Sequence, residues 1–339
     1  MSQNLRVAVI GAGRMGVDHI QRLHRRIHGA EVGAVVDIDP ERAAAAVAGI
    51  PGAAALTDVA DALGNPDTDA VLLATPGFLH EEALHAILAR DLPVLCEKPL
   101  TPDSASAWRV VQAEEKLGRR RIQVGFMRRY DSEYAQLQAL IRSGELGEVL
   151  MLHHQHRNPS TPPGFTNEML INDSVVHEFD AVRFFTGEEI TSVQVRTGKA
   201  TRSAPAGQQD PQQVLLETAS GVLADVEIYV NAQFGYEVAT QAVFEQGVFR
   251  IGNDAGPYLS TQGRWGGPVS PGFAARFSTA YDREVQAWVD AARQGSITGP
   301  GAWDGYAAAA CCEAGVEAQR TGQKVAVILN DKPPLYLQA

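Results

Sequence analysis

The sequence is poor in cysteine and has no long hydrophobic run. Its 339 residues include three cysteines, Cys96, Cys311 and Cys312, which are too few for a disulfide framework and form no spaced metal-binding pair. No apolar run approaches the ~20 residues of a membrane-spanning helix, and Met1 to Asn4 lack the basic n-region of a signal peptide. We therefore expect a cytoplasmic protein with reduced cysteines and no membrane contact.

The sequence also has fewer basic than acidic residues. Lys and Arg number 29 against 40 Asp and Glu, which gives a formal net charge of −11. Nucleic acids and anionic membranes attract positively charged surfaces, so this balance argues against both as partners. Hydrophobic residues make up 45% and charged residues 20% of the chain, as is usual for a globular protein of about two domains.

The first third of the chain alternates short apolar segments with helical ones. The predicted strands are Leu5–Ile10, Glu31–Asp37, Ala70–Ala74, Pro93–Cys96 and Arg121–Gly125. Helical segments lie between them, one of which is opened by Asp39-Pro40. Strands that alternate with helices of this length predict an α/β domain built on a doubly wound parallel sheet.

The pattern changes near Met127–Tyr130. After a helix at Ser132–Ser143, longer strand candidates are joined by turns, which predicts an α+β domain with a mostly antiparallel open sheet. These candidates are Val149–His156, Ile190–Thr197, Val214–Glu217, Gly221–Val230, Val238–Phe244 and Gly247–Ile251. Helices near Tyr281–Arg293 and Trp303–Thr321 follow and can pack back on the first domain. We therefore divide the chain into domains at 1–127 and 128–339.

A glycine-rich segment joins the first predicted strand to the first helix. Gly11-Ala12-Gly13-Arg14-Met15-Gly16 has the spacing G-x-G-x-x-G. Between a strand and a helix, such glycines permit a tight turn and the close approach of a pyrophosphate to the helix N-terminus. The segment therefore predicts a dinucleotide site on a Rossmann domain.

An acidic residue ends the second predicted strand, 21 residues after the last of these glycines. The carboxylate of this residue, Asp37, can accept hydrogen bonds from the adenosine ribose and would repel the 2′-phosphate of NADP. Ile38 and Asp39 follow, and no Arg stands just after Asp37 to hold that phosphate. Asp37 could instead cap the next helix, a role that Asp39 can also fill. The sequence favours NAD, with Ile38 included in the predicted cofactor site.

Two further polar segments follow predicted strands. Thr75-Pro76 comes after the third strand, and Glu97-Lys98-Pro99 after the fourth. Because ligands of open parallel sheets bind at the carboxyl ends of the strands, we expect both segments to line the cofactor site. His80 is included in this lining, although packing at a helix start is the commoner role for such a residue.

These motifs together resemble the GFO/IDH/MocA oxidoreductase family, whose members pair a Rossmann domain bearing a Glu-Lys-Pro motif with an α/β substrate domain. Later segments resemble the inositol 2-dehydrogenases of that family: Gly125–Asp131, His156–Pro159, Asn172–Glu178 and Gly299–Tyr306. The likeness runs from the first strand to Lys332-Pro333. It implies NAD-dependent oxidation of myo-inositol to 2-keto-myo-inositol (scyllo-inosose) by a homo-oligomer, and more specifically by a homotetramer.

A carboxylate and an imidazole lie four residues apart at Asp173 and His177, a spacing that puts two side chains on one face of a helix. Oxidation of a secondary alcohol needs a base for the hydroxyl proton, and an imidazole steered by a carboxylate can supply it. Lys98 would add a cation that stabilises the developing alkoxide. An isolated Asp–His pair is more often a surface ion pair, but the resemblance also implies that His177 is the acid/base, with Asp173 beside it.

The resemblance further implies which residues bind the hydroxyl groups of a polyol. These are Lys98, Arg128, His156, Asn158, Asp173, His177 and Tyr236. His153, His154 and His156 lie close together in the sequence, but no further ligand set accompanies them. We therefore predict that the protein holds no metal.

Two alternatives remain open at this point. The same chemistry could act on scyllo-inositol, another cyclic polyol or an aldopyranose, because Phe234 and Phe273 stand where the resemblance leads us to expect Tyr and Trp. The chain could also be an NAD-binding sensor without turnover, since fold alone does not fix function. The complete set of Lys98, Asp173 and His177 argues against a sensor, which needs no base beside a cation.

Overall fold

The computed structural model describes residues 4–252 and 259–337. The chain divides into two compact units. The first takes the chain up to Met127, Tyr281–Ala309 and the segment from Asn330, and the second takes Arg128–Ala280 and Ala310–Leu329. No helix in the described ranges is both long enough and apolar enough to cross a membrane.

The first unit is built on a six-stranded parallel sheet. Its strands are β1 (Leu5–Ile10), β2 (Ala30–Val36), β3 (Ala54–Leu56), β4 (Ala70–Leu73), β5 (Val94–Cys96) and β6 (Ile122–Val124). They lie in the order β3-β2-β1-β4-β5-β6, and every neighbouring pair is parallel. This is the strand order of the Rossmann fold, so the predicted doubly wound sheet is confirmed.

Helices connect these strands, and side-chain caps start several of them. They are α1 (Arg14–Arg25), α2 (Pro40–Val47), α3 (Val59–Gly64), α4 (His80–Ala89) and α5 (Ser104–Leu117). The carboxylates of Asp39, Asp58 and Asp103 accept hydrogen bonds from the first-turn N–H groups of α2, α3 and α5. Such caps satisfy N–H groups that have no partner within the helix.

The second unit contains a larger sheet and the segments that flank it. In chain order these are α6 (Ser132–Ser143), β7 (Val149–Arg157), a π-helix (Leu170–Val175), α7 (Val176–Thr186), β8 (Ile190–Thr197), β9 (Gln212–Thr218), β10 (Leu223–Tyr229), β11 (Glu237–Phe244), β12 (Val248–Ile251), β13 (Leu259–Thr261), β14 (Arg264–Gly266) and α8 (Phe273–Arg276). Two helices, a strand and a short 3-10 helix follow: α9 (Ser278–Ala292), α10 (Ala302–Thr321), β15 (Lys324–Ala326) and Pro334–Tyr336.

Seven strands of the second unit form one sheet in the order β12-β11-β7-β10-β9-β8-β15. Only the β7–β10 pair of this sheet is parallel, so the predicted, mostly antiparallel sheet is confirmed. One face is buried, and helix α7 packs on β7 and β8. Along β7 the alternate side chains of Met151, His153, Gln155 and Arg157 point to the other face, where they are partly or fully exposed.

The last two long helices divide between the units. Val285, Trp288 and Val289 of α9 are buried in the same core as Ile20 of α1 and Leu72 of β4, so α9 belongs mainly to the first unit. Helix α10 contributes residues 302–309 to the first unit and 310–321 to the second.

Candidate active site

The glycine-rich turn after β1 is shaped by close backbone packing. Gly11 has φ +100°, and a Cβ there would lie 2.7 Å from the carbonyl oxygen of Ala74. A Cβ on Gly16 would lie 1.9 Å from the carbonyl oxygen of Gly11, whereas one on Gly13 would meet nothing within 4 Å. Gly13 is also the N-cap of α1 and offers no side-chain cap. The N-terminus of α1 at this turn therefore faces open space at Gly13, which fits the pyrophosphate of a dinucleotide.

Asp37 directly follows β2, and its carboxylate is 8% exposed. Its Oδ2 accepts a hydrogen bond from the N–H of Ala12 at 2.8 Å, and its Oδ1 accepts from the N–H of Asp39 at 3.0 Å. Burial would raise the pKa of Asp37, but these N–H groups and the Arg42 guanidinium lower it below its usual value. Asp37 is thus held as an anion beside the glycine-rich turn, and its neighbour Ile38 is 88% exposed.

Arg42 is a residue that the sequence analysis missed. Its Nη2 donates to Oδ1 of Asp37 at 2.8 Å. No arginine immediately follows Asp37 in the sequence, but the first turn of α2 brings Arg42 back to it. Asp39-Pro40 could have predicted this contact. Side chains of a helix tilt toward its N-terminus, so Arg42, the third residue of a helix that starts at Pro40, points back toward Asp37.

The ends of β4 and β5 are joined by a buried histidine. The Nε2 of His80 lies 2.8 Å from the carbonyl oxygen of Thr75, and its Nδ1 lies 2.8 Å from that of Pro99. The imidazole is completely buried. His80 therefore ties together the loops that carry Thr75-Pro76 and Lys98-Pro99.

Glu97 links Lys98 to helix α1. Its Oε1 lies 2.7 Å from Nε2 of His19, and its Oε2 accepts the N–H of Lys98 at 3.2 Å. A Cβ on Gly125 would lie 3.2 Å from Oε2 of Glu97, so glycine leaves room for this carboxylate. His19 was not predicted, although its place three residues after Gly16 put it on the first helix.

In the second unit a buried carboxylate holds two of the predicted substrate residues. Oε1 of Glu178 accepts a hydrogen bond from Nη1 of Arg128, and Oε2 lies 3.0 Å from Nδ1 of His156. Burial would raise the pKa of Glu178, but Arg128 and His156 hold it at about 2. Nδ1 of His156 also lies 3.3 Å from Nη2 of Arg128, so the three buried side chains form one cluster. Glu178 lies in the segment Asn172–Glu178 that carries the family resemblance, but the sequence predicted no role for it.

Two more predicted substrate residues lie at the ends of strands of the seven-stranded sheet: Asn158 directly after β7 and Tyr236 directly before β11. Tyr236 is 4% exposed, and its ring centroid lies 6.3 Å from that of His156. Burial raises the pKa of the Tyr236 phenol more than Arg128 lowers it, so the hydroxyl keeps its proton. The backbone of Asn158 bonds Tyr229 and Ala232, and its side chain is half-buried.

Asp173 and His177 lie at a junction between two kinds of helix. Asp173 is in the π-helix and is exposed, whereas His177 is in the first turn of α7 and is 9% exposed. The single α-helix expected through both residues is therefore a π-to-α junction. Such π-turns occur frequently at functional sites.

The histidines of β7 have separate partners. His153 contacts Asp225, and Nδ1 of His154 lies 2.9 Å from Oγ1 of Thr240. Across residues 4–252 and 259–337, His, Cys, Asp and Glu side chains form no group of three or more that could hold a metal ion.

Two family models match most of the chain. The model for the oxidoreductase family with an NAD-binding Rossmann fold matches residues 5–126, and that for its C-terminal alpha/beta domain matches 138–327. The chain belongs to the GFO/IDH/MocA oxidoreductase family. The predicted family, NAD as cofactor and an oxidoreductase as the enzyme class are thereby confirmed.

Individual members of the family match over the whole length. The chain is 74% identical to the inositol 2-dehydrogenase of Arthrobacter sp. (strain FB24) over 99% of this chain and 100% of that protein. It is 61% identical to the inositol 2-dehydrogenase of Renibacterium salmoninarum over 98% and 100%. The myo-inositol dehydrogenase of Lactobacillus casei, solved with NAD(H) and myo-inositol, superposes with a TM-score of 0.96 at 35% identity, over 98% and 100% of the two chains.

Proposed function

We propose that this enzyme oxidises myo-inositol to 2-keto-myo-inositol with NAD as the hydride acceptor. The observation that carries the proposal is the 74% identity to an inositol 2-dehydrogenase over 99% of the chain. The fold likeness to an enzyme solved with NAD(H) and myo-inositol supports it.

The first unit holds the cofactor. The turn from Gly11 to Gly16, including Ala12, Arg14 and Met15, receives the pyrophosphate, and Asp37 with Ile38 receives the adenosine ribose. The ends of β4 and β5 complete the site with Thr75, Pro76, His80, Glu97 and Lys98. When bound, the nicotinamide ring accepts the hydride that leaves the carbon bearing the reacting hydroxyl.

His177 acts as the general base. It takes the proton of the reacting hydroxyl as the C–H hydride leaves, so that the alcohol becomes a ketone. Asp173 orients the imidazole and stabilises its protonated form. The ammonium group of Lys98 stabilises the negative charge that develops on the oxygen.

The other hydroxyl groups of the ring are bound by Arg128, His156, Asn158 and Tyr236. Glu178 holds His156 and Arg128 in place for this role. Arg128 is a donor only. A site built from both donors and acceptors rejects compounds that leave its polar groups unpaired, which suits a polyol.

We also infer that the protein is a cytoplasmic homotetramer. The exposed face of the seven-stranded sheet carries apolar side chains, among them Met151, Leu215 and Leu223, which a second copy can cover. The three cysteines are buried and free, which suits a reducing compartment. Light scattering on the purified protein tests the tetramer, and a monomer at micromolar concentration would overturn it.

The test of the reaction is turnover with a panel of substrates. Purified protein is mixed with NAD and with myo-inositol, scyllo-inositol or glucose, and the absorbance of the reduced nicotinamide is followed. We expect the highest kcat/KM for myo-inositol. A higher value for another polyol would overturn the proposed substrate, and NAD binding without turnover of any polyol would overturn the proposed reaction.

A further inference from the structure

Arg42 lies across two carboxylates at the end of β2. Its Nη2 is 2.8 Å from Oδ1 of Asp37, and its Nε is 3.3 Å from Oδ2 of Asp39. The backbone N–H of Arg42 also donates to Oδ1 of Asp39 at 3.3 Å, within the cap that starts α2. The side chain is 54% exposed, whereas that of Asp37 is 8% exposed. A solvent-accessible guanidinium is thus held in place beside a buried anion.

We propose that Arg42 is a latent anchor for the 2′-phosphate of NADP, kept out of use by Asp37. The preference for NAD is then a property of the pair, in which Asp37 repels the phosphate and also occupies Arg42, a nearby group that would bind it. This inference rests on the proposed placement of the adenosine ribose at Asp37.

The charges around the pair give the physical reason. Asp37, Asp39 and Arg42 together carry a net charge of −1, and a 2′-phosphate would bring about −1.5 to −2 more into the same place. Without Asp37, the remaining pair of Asp39 and Arg42 is neutral, and Nη2 of Arg42 loses its carboxylate partner. A guanidinium matches a phosphate with two parallel N–H groups, so a freed Arg42 would bind the 2′-phosphate directly.

A merely structural role for Arg42 predicts something different. An ion pair with one half-exposed partner contributes little to stability, and in that case Arg42 would only fasten α2 to the end of β2. Its removal would then leave the affinity for NADP unchanged whether or not Asp37 is present.

A double-mutant cycle separates the two roles. Calorimetry on the full chain gives the dissociation constants of NAD and NADP for the unmodified protein, Asp37→Ser, Arg42→Gln and the double variant. Serine retains an oxygen that can accept the N–H of Ala12. Arg25→Gln, at the opposite end of α1 from the glycine-rich turn, serves as the matched control. No substrate or turnover is required.

We expect Asp37→Ser to tighten NADP binding at least about tenfold, the effect of a hydrogen bond to a charged group, and to weaken NAD binding. Adding Arg42→Gln to Asp37→Ser should remove most of the gain in NADP affinity, whereas Arg42→Gln alone should not tighten NADP binding. If Arg42→Gln has no effect on NADP in the Asp37→Ser background, the latent anchor is refuted. If Asp37→Ser changes neither dissociation constant, the ribose does not lie at Asp37, and that part of the proposed function fails instead.

Discussion

Nδ1 of His156 lies 3.0 Å from Oε2 of Glu178, and the other oxygen of this carboxylate accepts from the guanidinium of Arg128. Glu178 is completely buried and Arg128 is 2% exposed. One acidic residue therefore balances the charge of an arginine and holds the ring of a histidine, both of which are proposed to bind substrate. Buried charges of this kind are costly unless they are paired.

Removal of the charge on Glu178 should destabilise the protein strongly. Glu178→Gln leaves the buried guanidinium of Arg128 without a counter-ion, and breaking a buried pair in this way costs about 3–5 kcal/mol. The free energy of unfolding in urea measures the loss. Glu227→Gln is the matched control, because Glu227 pairs with Arg157 and is 42% exposed. For this partly exposed pair the expected cost is about 0–1 kcal/mol. Equal losses in the two variants would contradict a stabilising role for the buried charge of Glu178.

His177 should matter for turnover rather than for cofactor binding. His177→Gln removes the proposed base, and general-base catalysis is worth about 10²–10⁴ in rate, so kcat should fall by a factor in that range. NAD affinity, measured by calorimetry, should stay the same. His24→Gln, on the exposed side of α1, should retain full activity.

The role of Asp173 can be tested in the same assay. Asp173→Asn keeps the side-chain shape but removes the charge that stabilises protonated His177, so kcat should fall by less than in His177→Gln. In the double variant the two losses should not add, because the residues act as a unit. Wild-type turnover of His177→Gln at neutral pH would show that another group is the base.

The larger features of the fold could be predicted from the sequence because they rest on repeated local signals. The alternation of strands and helices up to Val124 predicts the parallel sheet. Strand β3 and helix α3 were missed because they have only three and six residues, and none of the residues of β3 is buried. An edge strand of three residues is too short to show an alternation of buried and exposed side chains.

The site was predicted in its residue types but not in its connections. Asp37 was found because a strand-end carboxylate has a known role, whereas Arg42 reaches it only through the turn of α2. Glu178 was given no role because its importance comes from Arg128, which lies 50 residues earlier in the chain. Contacts of this kind depend on tertiary packing, and spacing along the sequence does not record them.

Gly13 and Gly16 of the first turn should respond differently to substitution by alanine. A Cβ on Gly16 would lie 1.9 Å from the carbonyl oxygen of Gly11, so Gly16→Ala must shift backbone and should lower the thermal stability of the protein without ligand. A Cβ on Gly13 meets nothing within 4 Å, and Gly13 has φ −73°, which any residue adopts. Gly13→Ala should therefore keep its stability.

The melting temperature measured with NAD shows whether Gly13 is needed for the approach of the cofactor. If the pyrophosphate lies against Gly13, the methyl group of Gly13→Ala fills its space, and the variant should lose the rise in melting temperature that NAD gives the unmodified protein. A full NAD-induced rise in Gly13→Ala would contradict a pyrophosphate at this turn.

The buried imidazole of His154 should make stability depend on pH. Burial lowers the pKa of His154 to about 4, with Arg128 and His153 adding to the effect and Glu178 opposing it. In the unfolded chain the pKa is about 6.5, so between these values the unfolded state binds more protons and folding weakens as the pH falls. Above about pH 6.5 His154 is neutral in both states and does not weaken folding. On acidification through pH 4 it lowers the free energy of unfolding by about 3 kcal/mol.

Asparagine at this position provides the test. Its amide nitrogen can take the place of Nδ1 opposite Oγ1 of Thr240 but does not titrate, so His154→Asn should flatten the free energy of unfolding between about pH 6.5 and 4. His24→Asn, with an exposed side chain, should keep the slope of the unmodified protein. Glu178, with its pKa at about 2, weakens folding mainly at lower pH, where both variants should behave alike. If His154→Asn retained the full slope, the acid sensitivity in this range would have to arise from another group.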